Sequence, residues 1–364
     1  MYTSLVKVTE IVNINLPSFK KYSLLYLTYS QTFACPCTTI SIDYQKFLHV
    51  KYKLHQVCSS IYVTHNWINN TALSFDNQPY DPTNFRWAST NIFQALSTFC
   101  ELTNKTISES LIRFYSNQYI SNVVKPSHLF ESHIQSIVKQ FRSSITNHFL
   151  LSLQIIRDTS QANALLSAKQ TNILLYFVPG STFASVVPLA YDGCDCGYSA
   201  KCIQQSAIYT YPNLTTLFSI PGLYLGCFAI ESLLQSTLEC FYNQTCINQL
   251  QSYLTYYLFM NVTALDSSLP SRFFKNSTIQ ELVNELMIER WNLSTIYESY
   301  YNACQPIRCT YSYSTRNNLI CIITTLSGLV GGMLTILKLF VPLLIKLVRR
   351  NKRLPTQEIG KISL

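Results

Sequence analysis

Leu319–Leu337 reads LICIITTLSGLVGGMLTIL, 19 residues without a charge; Lys338 follows, then a second apolar run, Leu339–Ile345, and then Lys346, Arg349, Arg350, Lys352 and Arg353. About 20 apolar residues span a bilayer core at a rise of about 1.5 Å each. Residues 319–345 are therefore expected to form one transmembrane helix. The dense Lys/Arg cluster behind it marks the cytoplasmic end by the positive-inside bias. That makes residues 346–364 a basic cytoplasmic tail and places the residues before the helix outside. The plasma membrane is the expected location, with the lipid bilayer as first partner and a single pass as the chain stands.

Composition agrees with this reading. The 364 residues are 48% hydrophobic and only 12% charged, against roughly 25% charged in soluble domains. With 25 Tyr and 20 Phe, the chain is too aromatic and too weakly charged for a disordered protein. Nine glycines are too few for collagen or for glycine-rich nucleotide loops. The formal charge is +9, and residues 319–364 hold seven basic residues and one acid, Glu358. Most of the positive charge thus flanks the apolar run. A membrane-flanking cluster is implied, and no nucleic-acid partner.

Thirteen cysteines occur, and only Cys321 lies within the membrane run. Cys35, Cys37, Cys58, Cys100, Cys194, Cys196, Cys202, Cys227, Cys240, Cys246, Cys304 and Cys309 form an even set before it, as expected for disulfides in an oxidising compartment. Seven N-x-S/T sequons, at Asn69, Asn104, Asn213, Asn243, Asn261, Asn276 and Asn292, all fall on the outer side, where glycosylation takes place. A glycan coat would keep so aromatic a domain soluble with few charges. Cys194-Asp195-Cys196-Gly197 with Cys202 looks at first like a metal knuckle. Zinc sites, however, favour two to four residues between paired cysteines, so a disulfide scaffold is the expected role and no metal is assigned.

The expected fold class is α+β: a disulfide-rich extracellular domain followed by one C-terminal transmembrane helix. Residues 1–34 read as an extended lead-in. An outer region of some 300 residues must be translocated, yet no signal peptide opens the chain. A truncated start is therefore expected, with a signal or a first membrane helix upstream; the latter would make the protein two-pass. Residues 35–318 are the cysteine-rich, glycosylated ectodomain. Turn pairs (Asn69-Asn70, Asp76-Asn77, Gln78-Pro79, Asp81-Pro82) predict loops and short strands over 35–100. Helical spacing, as in Ile134, Ile137, Val138 and Phe141, runs from about Thr90 to Ala168. Leu174–Val187 predicts a strand pair around Pro179-Gly180. Glu231–Tyr257 and Ile279–Trp291 read as amphipathic helices, the second capped near Ser277/Thr278 with Glu281 three residues after Thr278. No repeat is detected.

Catalytic patterns do not emerge. None of the six histidines (His49, His55, His65, His128, His133, His148) sits in a zinc-protease motif, no Ser lies in G-x-S-x-G, and there is no Walker loop. Asp192 and Asp195 lie among cysteines and read as turn residues. Neither an enzyme nor a cofactor is expected.

The membrane run says more. Ser327, Gly328, Gly331 and Gly332 let helices approach closely, or allow backbone to line a pore. Lys338 either snorkels to the basic side or faces a polar path. The stretch Gly328–Phe340 resembles the second transmembrane helix of the degenerin/epithelial sodium channel family, which includes acid-sensing channels. That family carries a Gly-rich start, a G-x-S tract and a run similar to L-T-x-L-E-L-F. The Cys304–Tyr313 segment is similar to the end of its cysteine-rich ectodomain. Two departures stand out: Val330-Gly331-Gly332 occupies the filter tract, and Lys338 replaces an acidic residue. The resemblance implies a cation-channel subunit, homo- or hetero-oligomeric, with Ser327, Gly328, Gly331, Gly332 and Lys338 at the pore or helix interface. The alternative is a single-pass receptor or adhesion protein that binds an unknown extracellular ligand.

Overall fold

The computed structural model describes residues 7–72, 81–167, 169–177, 180, 184–210, 213–254, 260–316 and 319–351. Along the chain these form β1 (Lys7–Asn15), α1 (Phe19–Tyr29), β2 (Ser41–Asp43), β3 (Leu48–Leu54), α2 (His65–Ala72), α3 (Phe85–Tyr115), β4 (Gln118–Ile120) and α4 (Ser127–Ala162). Next come β5 (Ile173–Phe177), β6 (Ala184–Pro188), β7 (Ala190–Tyr191), β8 (Cys194–Asp195), β9 (Ile203–Tyr209), β10 (Thr216–Gly226), α5 (Ala229–Gln235) and α6 (Gln244–Leu254). The last are α7 (Ile279–Asn284), β11 (Ile288–Thr295), α8 (Tyr297–Cys304), β12 (Arg308–Arg316) and α9 (Leu319–Asn351). The fold is mixed α+β. Its described strands pair only in twos, β1–β12, β2–β4, β3–β11, β5–β6, β7–β8 and β9–β10, so helices and disulfides supply the cohesion that a wide sheet would give.

Two units separate by contacts: Met1–Ile40 with Ser121–Val124 and Tyr301–Leu364, and Ser41–Ile120 with Lys125–Tyr300. In the first, β1 and β12 form an antiparallel ribbon, in register from Lys7 opposite Arg316 to Asn15 opposite Arg308. Ala34 bridges to Thr310 beside it. Cys35–Cys309 and Cys37–Cys304 bolt this strip together, and the Thr38 and Thr39 N–H groups donate to the Cys304 carbonyl at 3.0 and 3.1 Å. Ser18 caps α1, accepting from the Lys21 N–H. The helix packs through rings: Tyr22 lies 4.9 Å from Tyr301 and 5.4 Å from Phe33, and Tyr29 stacks on Tyr311 at 4.2 Å. The segment read as an extended lead-in thus holds a strand and a helix.

The second unit is built on α3. Its buried positions Ala88, Ile92, Leu96, Phe99, Thr103, Ile107, Leu111 and Phe114 recur every three or four residues, the period of one helix face. Asn84 opens the helix by accepting from the Arg86 N–H. Trp67, fully buried, meets Phe93 and Tyr62 edge-on at 5.3 and 5.5 Å, an arrangement the ring quadrupoles favour. Cys58–Cys100 ties the preceding short turns to this helix. A second ring cluster gathers Phe47, Tyr119, Phe130 and Tyr300, with Phe130 and Tyr300 stacked at 4.3 Å. Arg157 of α4 makes a two-pronged ion pair with buried Glu231 of α5, Nη2 to Oε2 being 2.7 Å.

Several expectations meet the structure differently. Helical spacing from Thr90 gives two helices, α3 and α4, broken at β4, and the second ends at Ala162 because Ala164 turns left-handed at φ 47°. Glu231–Tyr257 is not one helix. Ser236 leaves α5 in an extended conformation, and Asn243 restarts α6 by accepting from the Thr245 and Cys246 N–H groups. Cys240–Cys246 staples that corner, while Tyr257 lies outside the described residues. Ile279–Trp291 is a helix only to Asn284, with the expected capping box of Thr278 and Glu281 in place. Leu286 and Met287 then take φ of 53° and 50°, and the chain leaves as β11 to pair with β3. Its β-branched and aromatic residues fit a pleated ladder. The strand pair over Leu174–Val187 is present as β5–β6, with Leu174 opposite Val187. The predicted turn pairs Asp76-Asn77 and Gln78-Pro79 lie outside the described residues, as does Pro179.

All twelve cysteines that precede α9 are paired: besides the four bridges above, Cys194 bonds Cys202 and Cys196 bonds Cys227. The residues that resembled a knuckle are thus engaged in two disulfides beside buried Tyr191. Cys35–Cys309 and Cys37–Cys304 are nested, spanning 274 and 267 residues. Either one alone closes the long loop; the other then closes only a small ring. Loop-closure entropy assigns about 5 kcal/mol to the long loop and about 2–3 kcal/mol to the ring. Replacing one pair by alanines is expected to cost about 2–3 kcal/mol and replacing both about 8 kcal/mol, read by denaturant unfolding of the solubilised chain. Equal, additive costs for the two single-pair variants would contradict nesting as the source of stability.

Candidate functional site: the polar seam of the C-terminal helix

Helix α9 has 33 residues, and its apolar portion Ile323–Arg350 has 28. At about 1.5 Å per residue the latter is about 42 Å long, more than a hydrocarbon core of about 30 Å. Composition divides its faces sharply. Thr324, Gly328, Gly331, Thr335, Lys338, Pro342, Lys346 and Arg349 follow one another at steps of three or four residues, which keeps them on one stripe. None is a large apolar residue. The large apolar side chains, from Leu326, Leu329 and Met333 to Phe340, Leu344 and Val348, occupy the rest of the circumference and are exposed.

Of the residues singled out in the sequence, Gly328, Gly331 and Lys338 lie on this seam, and Ser327 and Gly332 flank it. A Cβ placed on any of the three glycines meets nothing within 4 Å, so no contact within the chain requires their smallness. The Thr335 hydroxyl donates to the Gly331 carbonyl at 2.6 Å, which satisfies it inside the helix. Pro342 lies within the helix; lacking an N–H, it deprives the Lys338 carbonyl of its helical donor. A cation and an acceptor without its helical partner therefore share one level of the seam. Glycine content alone does not single out Thr324, Thr335, Pro342, Lys346 and Arg349; their spacing in threes and fours does. Cys321 lies at the start of α9, outside the residues whose side chains are described.

The seven sequon asparagines are all exposed, and all belong to the second unit. Asn243 doubles as a helix cap, and the Asn104 amide oxygen accepts from the Tyr52 hydroxyl at 2.8 Å.

One histidine stands apart. His55, 2% exposed, closes β3; its Nδ1 accepts from the Val57 N–H at 3.2 Å. The neutral ring therefore carries its proton on Nε2, which faces the Tyr242 hydroxyl at 3.2 Å and Glu289 Oε1 at 3.6 Å. Glu289 also accepts from the Ser271 hydroxyl and the Arg272 N–H, and Lys275 stands over the Tyr242 ring. These partners lie up to 234 positions away, beyond the reach of any local motif. Burial lowers the His55 pKa and outweighs the opposing pull of Glu289. The unfolded chain, with an ordinary value near 6.5, then takes up this proton first. Stability is fully present above about pH 6.5 and falls as pH drops toward the folded value. His55→Asn, which keeps an acceptor for Val57, is expected to flatten that decline between about pH 7.5 and pH 5.5 in denaturant unfolding. An unchanged slope would assign the decline elsewhere.

No protein-family model, no curated protein and no solved structure matches the chain.

Proposed function

We propose that the protein is a membrane-anchored cell-surface subunit whose α9 crosses the bilayer and assembles, with copies of itself or with related chains, around the polar seam as a cation channel of the degenerin/epithelial sodium channel type. The observation that carries the reading is the seam itself. A lone helix in lipid gains nothing from a stripe of Thr, Gly, Lys and Pro, whereas helices in contact gain close approach from glycine and partners for polar groups. The Lys338 ammonium and its carbonyl are costly against hydrocarbon and are accommodated against protein or water. Lys346, Arg349 and Arg350 support a cytoplasmic C-terminal end. Twelve paired cysteines and seven exposed sequons support an oxidising exterior and N-glycosylation for the rest. The doubly bolted β1–β12 ribbon ends three residues before α9 begins.

Recording from cells that express the full-length protein, with surface labelling and chemical cross-linking in parallel, tests this. A cation in a narrow, low-dielectric path repels passing cations, so Lys338→Glu is expected to raise cation current several-fold. Gly331→Leu is expected to abolish both oligomer and current. Surface-exposed oligomers that pass no current, in the native form and in Lys338→Glu alike, would remove the channel reading and leave a receptor or adhesion protein packed through its glycines.

A further inference from the structure

Independently of the membrane seam, the second unit contains a hollow of about 370 Å³ between α3, α4, α5 and the end of β10. Close-packed interiors leave few voids larger than a water, and an apolar cavity of about 150 Å³ already takes up benzene. This one is more than twice as large. It exists because small residues converge on it from three elements, Ala88 and Ala95 of α3, Gly226 of β10, and Ala229 and Ser232 of α5. Buried Ile92, Phe99, Leu153 and Leu225 form its floor. Its mouth is rimmed by Leu102 and Ile156, which are 46% and 55% exposed.

The polar groups in the wall narrow the choice of occupant. The Thr171 hydroxyl donates to the Cys227 carbonyl and that of Ser232 to the Phe228 carbonyl, while Ser167 shares a hydrogen bond with Thr171. These groups are satisfied within the wall. The half-buried Asn91 carboxamide lines the hollow with no hydrogen-bond partner among the described residues, while that of Gln94, likewise unbonded there, is exposed to solvent. Among the described residues no charged side chain lines the cavity, so an ionised head would enter without a counter-charge.

We infer that this hollow is a binding site for an uncharged, mainly hydrocarbon molecule with a single hydrogen-bonding head, of the size and chemistry of a medium-chain alcohol. The chain of the ligand fills the space over Ile92, Phe99 and Leu225, and its head bonds the Asn91 amide. Neutral ligands are selected over carboxylates of equal length because the wall offers no cation.

The test uses the full-length protein in lipid nanodiscs and a dodecanol analogue bearing a photoreactive diazirine, with labelled peptides located by mass spectrometry. Labelling is expected on α3 and α5 near Ala95 and Ala229, and also on α9 through the lipid, which serves as an internal reference. Excess dodecan-1-ol is expected to suppress the α3 and α5 label, and dodecanoate at pH 8 to leave it. Ala95→Leu with Ala229→Leu, which fills the hollow, should reduce the α3 and α5 label at least tenfold relative to α9. Asn91→Leu should weaken competition by dodecan-1-ol about fivefold, as loss of one hydrogen bond predicts. A filled variant that keeps all six disulfides and labels α3 and α5 as strongly as the native protein would overturn the proposal. So would label confined to α9, or equal competition by dodecanoate.

Discussion

Cys35–Cys309 and Cys37–Cys304 close a covalent loop that encloses most of the chain. The β1–β12 ribbon is only two strands wide, and an isolated pair of strands is marginal in water. What makes it firm is the covalent pair at one end and the ring stack of Tyr29, Tyr311 and Tyr313 along it. The chain leaves this unit after Ile40, returns for Ser121–Val124 and returns again at Tyr301. Backbone contacts help hold the brief return, with Pro36 bridging Val123 and the Val124 N–H donating to the Cys35 carbonyl at 2.9 Å.

Tyrosine takes over work that charges do elsewhere. Buried and half-buried phenols donate to loop carbonyls far along the chain: Tyr62 to Thr263, Tyr191 to Thr171, Tyr301 to Pro17 and Tyr297 to Lys125, at 2.6 to 3.0 Å. Each satisfies a carbonyl that irregular backbone would otherwise leave bare, and each contributes a ring to the core. Burial suits the neutral phenol; it pushes the Tyr301 pKa up to about 12, far from any physiological titration. A chain with 12% charged residues thereby closes these loops with neutral groups. Arg157 and buried Glu231 do form an ion pair, and there the carboxylate raises the pKa of the guanidinium.

What was legible in the sequence depends on the range of the forces involved. The periodic faces of α3 and α4, the β5–β6 pair and the Thr278 cap are set by neighbours within a few positions, and all were readable. Ile288–Trp291 reads locally as the end of a helix, because nothing nearby announces β3 as its partner, more than 230 residues earlier. The break at Ser236 is likewise distant in origin: the Ile279 N–H donates to the Ser236 carbonyl at 2.8 Å, and Thr237 bridges to Thr278. The even set of cysteines announced disulfides, while their pairing required the fold. Ser327, Gly328, Gly331, Gly332 and Lys338 were legible as unusual residues in an apolar run; the stripe that three of them share with Thr324, Thr335 and Pro342 emerges only when the run is wound into a helix.

The nested bridges have a further consequence. A backbone cut anywhere between Cys37 and Cys304, in a surface loop such as the one around Ser271, divides the polypeptide without dividing the molecule. The first fragment stays attached through Cys35 and Cys37, and the second carries Cys304, Cys309 and the whole of α9. The nicked protein would migrate as one species until it is reduced, and as two afterwards. Proteolytic processing could thus free a loop or a strand end in the second unit while every residue remains tethered to the same helix.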